Sequence, residues 1–287
     1  MENGRSVVGL EEVRRGDGHA TRPDLDHRCM GGYGHYTAYG VGFGLESDDA
    51  AAFHLLLDRL PPGAERLNTQ PSGPHYALST DVADGGTFAL SCDGSLLLRS
   101  HEIDRIAETF EQAIKWHVAH RAPRYVFLRA GVVGWKDRTI VLPGGPRSGK
   151  STLVRALVRC GATCLSDEYA VFDGNTVHPY PSRIPIWTES SEAAGFWTDE
   201  FGEIREPKPL PIGIVVFATY QPGAVWKPRL LSRGKLMLGM FRHAVASQIN
   251  PQQVLKVLDQ VTKSCNALEG VRGDAHAVAT FLLDRLV

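Results

Sequence analysis

The spacing of apolar residues changes several times along the 287-residue chain, and each change predicts an element. Residues 1–32 mix Arg, Asp, Glu and Gly with little periodicity and read as a mobile N-terminal arm. From Tyr33 the run Tyr36-Thr37-Ala38-Tyr39-Gly40-Val41-Gly42-Phe43 alternates as a strand does. Ser47-Asp48-Asp49 can cap a short helix through Leu60, which Pro61-Pro62-Gly63 ends. Strands follow near Tyr76–Ser79, Thr87–Ser91 and Ser95–Arg99, the last two joined by the hairpin signal Asp93-Gly94. Residues 102–119 place Ile103, Ile106, Ala107, Phe110, Ala113, Ile114 and His117 at helical spacing. That helix is expected to join a small N-terminal sheet domain to the rest, with His117 and His120 as surface or capping groups.

Two strands come next, Tyr125–Val133 and Arg138–Leu142, then a glycine-rich loop and a helix from Ser151 to Cys160 with Gly161 as its cap. A strand is expected at Ala162–Ser166, mostly loop over Asp173–Glu206, and a buried-type strand at Ile212–Thr219. Helical patterns at Gly234–Val245, Pro251–Ser264 and Ala275–Leu286 read as a helical cover over the sheet. The expected organisation is therefore α/β: an arm over 1–32, a small α+β domain over 33–100, and a larger domain over 101–287 that carries the glycine-rich loop.

Composition narrows the function classes. The chain is 43% apolar and 22% charged with a net charge of −1, which argues against a nucleic-acid binder held by a basic field. Five scattered cysteines show no zinc spacing and read as reduced thiols. No apolar run reaches the ~20 residues that span a bilayer, and the first residues lack a signal-peptide stretch, so a cytoplasmic protein without a membrane partner is expected.

The chemistry concentrates in Gly144-Gly145-Pro146-Arg147-Ser148-Gly149-Lys150-Ser151, followed by Thr152. Glycines suit a backbone that wraps phosphate oxygens with its amides turned inward. Lys150 supplies a point charge for the β- and γ-phosphates of ATP, and the Ser151 hydroxyl can ligate Mg2+. The motif follows the strand Thr139-Ile140-Val141-Leu142 and opens a helix, the setting such a loop requires, and the helix adds its positive end. Asp167 and Glu168 come seventeen positions after Lys150. A helix of about ten residues descends ~15 Å and a short strand climbs back, which returns both carboxylates to the level of the loop. One suits a metal ligand, the other a general base or water-positioning group.

At these residues the chain resembles the HPr serine kinase/phosphorylase family and its looser relatives, including the kinases beside lasso-peptide biosynthetic genes. The matching run is Arg129-Ala130-Gly131-Val132-Val133, then Thr139 through Leu153, then Gly161 through Glu168. The resemblance implies a core like the phosphoenolpyruvate-carboxykinase nucleotide domain and phosphoryl transfer from ATP to a hydroxyl, often a serine. Lys150 and Ser151 would carry over as phosphate and magnesium contacts, and Asp167 and Glu168 as the acidic pair near the metal and the accepting hydroxyl. Arg129 stands where family members commonly carry His, and the later signature for HPr recognition is absent, so neither HPr as acceptor nor phosphorylase activity is expected.

The reading is an ATP-dependent kinase. Lys150 and the loop amides hold phosphate, Ser151 and Asp167 hold Mg2+, and Glu168 is the favoured base, although the two carboxylates could exchange roles. The acceptor is a serine or similar alcohol in a peptide, protein or small molecule, and a homo-oligomer is compatible with the sequence. The rival is a non-catalytic nucleotide-binding regulatory module, a degenerate kinase. Arg147 could reach the γ-phosphate or face solvent, Arg183 could lie near the site, and Lys227, Arg229, Arg233 and Lys235 form a basic cluster that could meet an acidic peptide. His178 and His243 suggest nothing by spacing.

Overall fold

The computed structural model describes residues 31–81, 86–145, 148–181, 184–186, 194–196 and 208–285. Arg147, Pro146, Arg183, Leu286 and residues 1–30 lie outside them. Alternation over Tyr36–Phe43 produces a hairpin where one strand was expected: β1 (Gly32–Ala38) turns into β2 (Val41–Ser47) with Ala38 opposite Val41. Tyr39 and Gly40 both take positive φ, 51° and 79°, which gives the tight turn whose twist matches paired strands. The Asp49 carboxylate accepts from the Ala52 amide at 2.8 Å and caps α1 (Ala50–Leu57). The three-residue β3 (Glu65–Leu67), too short to leave a pattern, pairs with β1. β4 (His75–Asp81) then runs parallel to β2, and β5 (Thr87–Cys92) and β6 (Ser95–Ser100) complete a six-stranded sheet in the order β3-β1-β2-β4-β5-β6.

Helix α2 (Ile103–Arg121) buries Ile106, Phe110, Ile114 and Val118 in one core with Phe43, Leu45, Leu78 and Leu90 of this sheet. Phe127, Tyr169 and Val171 of the second sheet, with Tyr180 just after β11, join the same core, so α2 packs on both. His117 is buried on this face, a correction to its reading as a surface group, and burial holds its imidazole below the ordinary value. Truncating Phe110 at the centre of that core is expected to cost about 3–5 kcal/mol.

The second sheet opens with β7 (Val126–Trp135) and β8 (Arg138–Pro143), which are buried on both faces except at Arg129 and at Arg138 where β8 begins. After α3 (Lys150–Arg159) come β9 (Thr163–Ser166) and β10 (Tyr169–Asp173), laid end to end along one edge of β7. β11 (Thr176–His178), β12 (Ile184–Ile186) and β13 (Ala194–Phe196) fall where mostly loop was expected. β14 (Leu210–Tyr220), β15 (Arg229–Leu230) and β16 (Asn266–Arg272) finish the set, giving the order β11-β10-β7-β8-β14-β16-β15.

Strands β8, β14 and β16 run parallel and end at the same side. Alternate residues divide between two cores. Ile140, Leu142 and Val216 meet Leu153 and Leu157 of α3 and Leu282 of α6 (Ala275–Arg285). Val141 and Val215 meet Met240 of α4 (Arg233–His243) and Leu258 of α5 (Pro251–Ser264). The C-terminal part is thus more than a helical cover: β16 lies between α5 and α6 and extends the sheet beside β14. The outcome is a mixed α/β fold with two main sheets.

Candidate functional site

The loop leaves β8 at Pro143 and enters α3 through Gly149, whose φ of 84° only glycine adopts without strain. A Cβ there would also lie 2.5 Å from Nη2 of Arg272. The Gly144 amide donates to the Arg129 carbonyl at 3.3 Å, and a Cβ on Gly144 would lie 2.6 Å from Ser148 Oγ. The ten-residue α3 has no acidic residue in its first turn, so its N–H groups keep their positive field. Lys150 curls back over the loop and donates from Nζ to the Gly145 carbonyl at 2.8 Å. Thr152 is exposed; Pro146 and Arg147 lie outside the described residues.

Asp167 and Glu168 occupy the break between β9 and β10. Ser166, buried, fixes that break: its Oγ accepts from the amides of Glu168 at 3.1 Å and Tyr169 at 3.0 Å. The Glu168 carbonyl accepts from the Ala130 amide of β7 at 3.2 Å. The two side chains then meet different surroundings. Burial raises the Asp167 carboxyl above the usual range, against a hydrogen bond from the Ser151 side chain and the nearby Lys150 and Arg155 cations. Its Oδ1 is buried with no hydrogen-bond partner. A Cβ on Gly131 would stand 2.6 Å from Val154 Cγ2 and 3.5 Å from that oxygen. Burial likewise lowers Lys150, with Asp167 opposing and Arg129 adding to the effect.

Glu168 instead accepts from Lys115 Nζ of α2 at 2.8 Å. Lys115 also meets Glu111 at 2.7 Å, and Glu111 meets Arg59 at 3.1 Å. Burial pulls the Lys115 ammonium down, but its two carboxylates, Glu168 foremost, hold it above the ordinary lysine value.

These groups surround a cavity of about 440 Å³. Helix α2 lines it with Gln112, Lys115 and Trp116, and the loop with Gly144 and Lys150. β7 and the β9–β10 break contribute Arg129, Asp167, Glu168 and Tyr169. The structure therefore brings Gly144, Lys150, Asp167 and Glu168 to one cavity, with Ser151 bonded to Asp167 behind it.

Three further residues escaped sequence reasoning. Arg272, at the end of β16 and almost wholly buried, donates from Nη2 to the Gly149 carbonyl at 2.7 Å and from Nη1 to the Gly273 carbonyl at 3.2 Å. It lies over the Tyr220 ring, and its Nε has no partner. His243, at the end of α4, is held below the ordinary value by burial and then by Lys150 and Arg129. Lys115 is the third. Their contacts with the site are long-range: Lys115 meets Glu168 across 53 positions and Arg272 meets Gly149 across 123.

The basic cluster is partly neutralised. Arg229 pairs with Glu269 at 2.7 Å and Arg233 pairs with Asp259. Burial raises the thiols of Cys164 to about 12 and Cys265 to about 11. Among the described residues no group of three His, Cys, Asp or Glu could hold a metal, and no helix is long and apolar enough to cross a membrane. Ser151 and Asp167 do suit Mg2+, which takes one or two protein oxygens and completes its shell with phosphate and water. The unpartnered Asp167 Oδ1 fits such a cation.

Neither a protein-family model nor a curated protein matches the chain. Among the solved structures that match is the HPr(Ser) kinase/phosphatase from Coxiella burnetii, at 11% identity and a TM-score of 0.28, covering 55% of this chain and 93% of that one. The likeness is weak and gives no residue correspondence.

Proposed function

We propose that the chain is an ATP- and magnesium-dependent phosphotransferase acting on a hydroxyl, and that its core is a phosphate-loop domain of the HPr kinase type. The observation that supports this best is the division of labour between adjacent carboxylates: Asp167 bonded to Ser151 at the start of α3, and Glu168 turned to the cavity beside Lys115. Lys150 and the amides at the α3 N-terminus hold the β- and γ-phosphates. Ser151 and Asp167 would hold Mg2+, which supplies charge neutralisation on the phosphate oxygens. Glu168 accepts the proton of the acceptor hydroxyl as its oxygen bonds to the γ-phosphorus and ADP leaves. The acceptor is a serine or similar alcohol of a peptide, protein or small molecule, and the cytoplasm is the expected compartment.

A second reading, nucleotide held as a regulatory ligand, draws support from the engagement of Glu168 by Lys115. Transfer of label from γ-labelled ATP to peptide, alcohol and lysate fractions separates the two. Labelled product supports the kinase; tight Mg-ATP binding with no product in any fraction replaces it with the regulatory module.

A further inference from the structure

We infer that Lys115 is the positioning residue of the Glu168 carboxylate, held in turn by Glu111 and Arg59. A chain of alternating charge thereby runs from the end of α1 into the acceptor side of the cavity. This rests on the proposal that Glu168 faces the acceptor.

The geometry carries it. Arg59 Nη1 reaches Glu111 Oε2 at 3.1 Å, Lys115 Nζ reaches Glu111 Oε1 at 2.7 Å, and the same Nζ reaches Glu168 Oε2 at 2.8 Å. Both Glu111 oxygens are engaged, so its rotamer is fixed from either side. The side chains of Arg59 and Lys115 are each 13% exposed and that of Glu111 18%, whereas Glu168 at the end is 36% exposed. Burying charged groups this far carries a desolvation cost that apolar residues on α2 would avoid, and the pairing offsets it at best. A chain of this kind makes poor sense as packing alone and good sense as a means of fixing one carboxylate. Lys115 engages Oε2, which leaves Oε1 for the proton of the acceptor.

The elements give the chain its reach. Glu111 and Lys115 stand one turn apart on α2, the helix that shares its core with the first sheet. Arg59 follows directly after the α1 cap. The chain thereby ties Glu168 to the helix that packs on the first sheet.

The full chain and its Lys115→Met and Arg59→Met variants provide the test. Mg-ATP affinity is read by titration with a fluorescent N-methylanthraniloyl-ATP, and turnover by single-turnover release or transfer of label from γ-labelled ATP. Affinity is expected to stay within about twofold, because both residues lie outside the phosphate loop and pair with carboxylates, Lys115 with Glu168 and Arg59 with Glu111. Turnover should fall roughly 100-fold in Lys115→Met, the scale of an ångström-sized misplacement, and about tenfold in Arg59→Met. In a Glu168→Gln background Lys115→Met should add nothing. Equal losses of affinity and turnover, or losses from Lys115→Met and Glu168→Gln that multiply, overturn the inference. If the wild type turns over no nucleotide, the kinase reading fails by itself and the chain is judged by folding. Arg59→Met and Glu168→Gln must then shift the urea midpoint by less together than the sum of their separate shifts, and additive midpoints overturn it.

Discussion

The two sheets treat their polar groups differently. In the first, polar side chains close on neighbouring strands. Asp48 accepts from the Thr80 amide at 2.8 Å, and Asp93 accepts from the His75 amide at 2.9 Å. In the second, the central strands β7 and β8 are largely buried on both faces, and polarity gathers where β8, β14 and β16 end. There Ser148 Oγ, Asp167 Oδ1 and Arg272 Nε are all buried without partners. Each such atom costs about 1–3 kcal/mol. Scattered unpartnered atoms, like Thr80 Oγ1, Arg59 Nε and Trp226 Nε1, can be packing imperfections. Three around one loop, at the end of a sheet where α/β folds bind ligands, single out the place proposed above to hold phosphate and Mg2+.

The strongest test of that difference acts on chemistry. Glu168→Gln keeps size and hydrogen bonding but cannot take a proton, so transfer should fall 10²–10⁴-fold with Mg-ATP affinity nearly unchanged. Lys150→Ala should weaken both, since Lys150 acts on ground state and transition state alike. Equal transfer rates for wild type and Glu168→Gln would move the base to Asp167. The next test acts on stability. Mg-ATP at a hundredfold excess over its dissociation constant should stabilise the fold by about 2.7 kcal/mol. Hydrogen exchange should slow in β8 and α3 more than in β1–β6. Uniform protection of both sheets, or no thermal shift at millimolar Mg-ATP, breaks the contrast between them.

What the sequence could reveal follows from the range of each interaction. The loop, α3 and the Asp93-Gly94 hairpin were legible because each is specified by consecutive residues. Strand β10 was not assigned, since Tyr169-Ala170-Val171-Phe172 is a continuous apolar run without alternation. Strand β16 follows α5 with no glycine or proline between them, and the intervening Glu269 and Gly270 obscure it. The site divides in the same way. Lys150 and Ser151 announce themselves by motif, whereas Lys115 sits on an amphipathic helix where a lysine is unremarkable until Glu168, 53 positions away, is folded against it. Arg272 meets Gly149 across 123 positions.

Arg272 permits a smaller test, one that separates the shape of the loop from its charge. Its guanidinium grips the Gly149 carbonyl from behind and stacks on Tyr220, so it fixes the turn into α3. Arg272→Met preserves much of the volume and removes the donors. Mg-ATP affinity should weaken about tenfold, the value of one or two lost charge-assisted hydrogen bonds, with the first sheet's melting signal unchanged. Unaltered affinity in a folded variant would show that the loop keeps its shape without Arg272.

The smallest effect has an unusual sign. Burial raises the Asp167 carboxyl, so over the window from the unfolded carboxyl value of 3.8 up to the folded one the native state binds more protons than the unfolded state. Stability due to this group therefore falls as pH rises through that window, and above it the whole penalty is present. Asp167→Asn removes the charge at nearly constant size. Lys150 limits the gain, because the Asp167 carboxylate supports its ammonium against burial. The net relief should raise the melting temperature of the nucleotide-free chain at pH 7. The difference between variant and wild type should shrink toward zero as pH falls below the window. With Mg-ATP the order should reverse, because the variant loses the ligand that Ser151 shares with it. A variant that melts below wild type at pH 7, or a difference independent of pH, would show that Asp167 is well solvated and place the charge strain of the second sheet elsewhere.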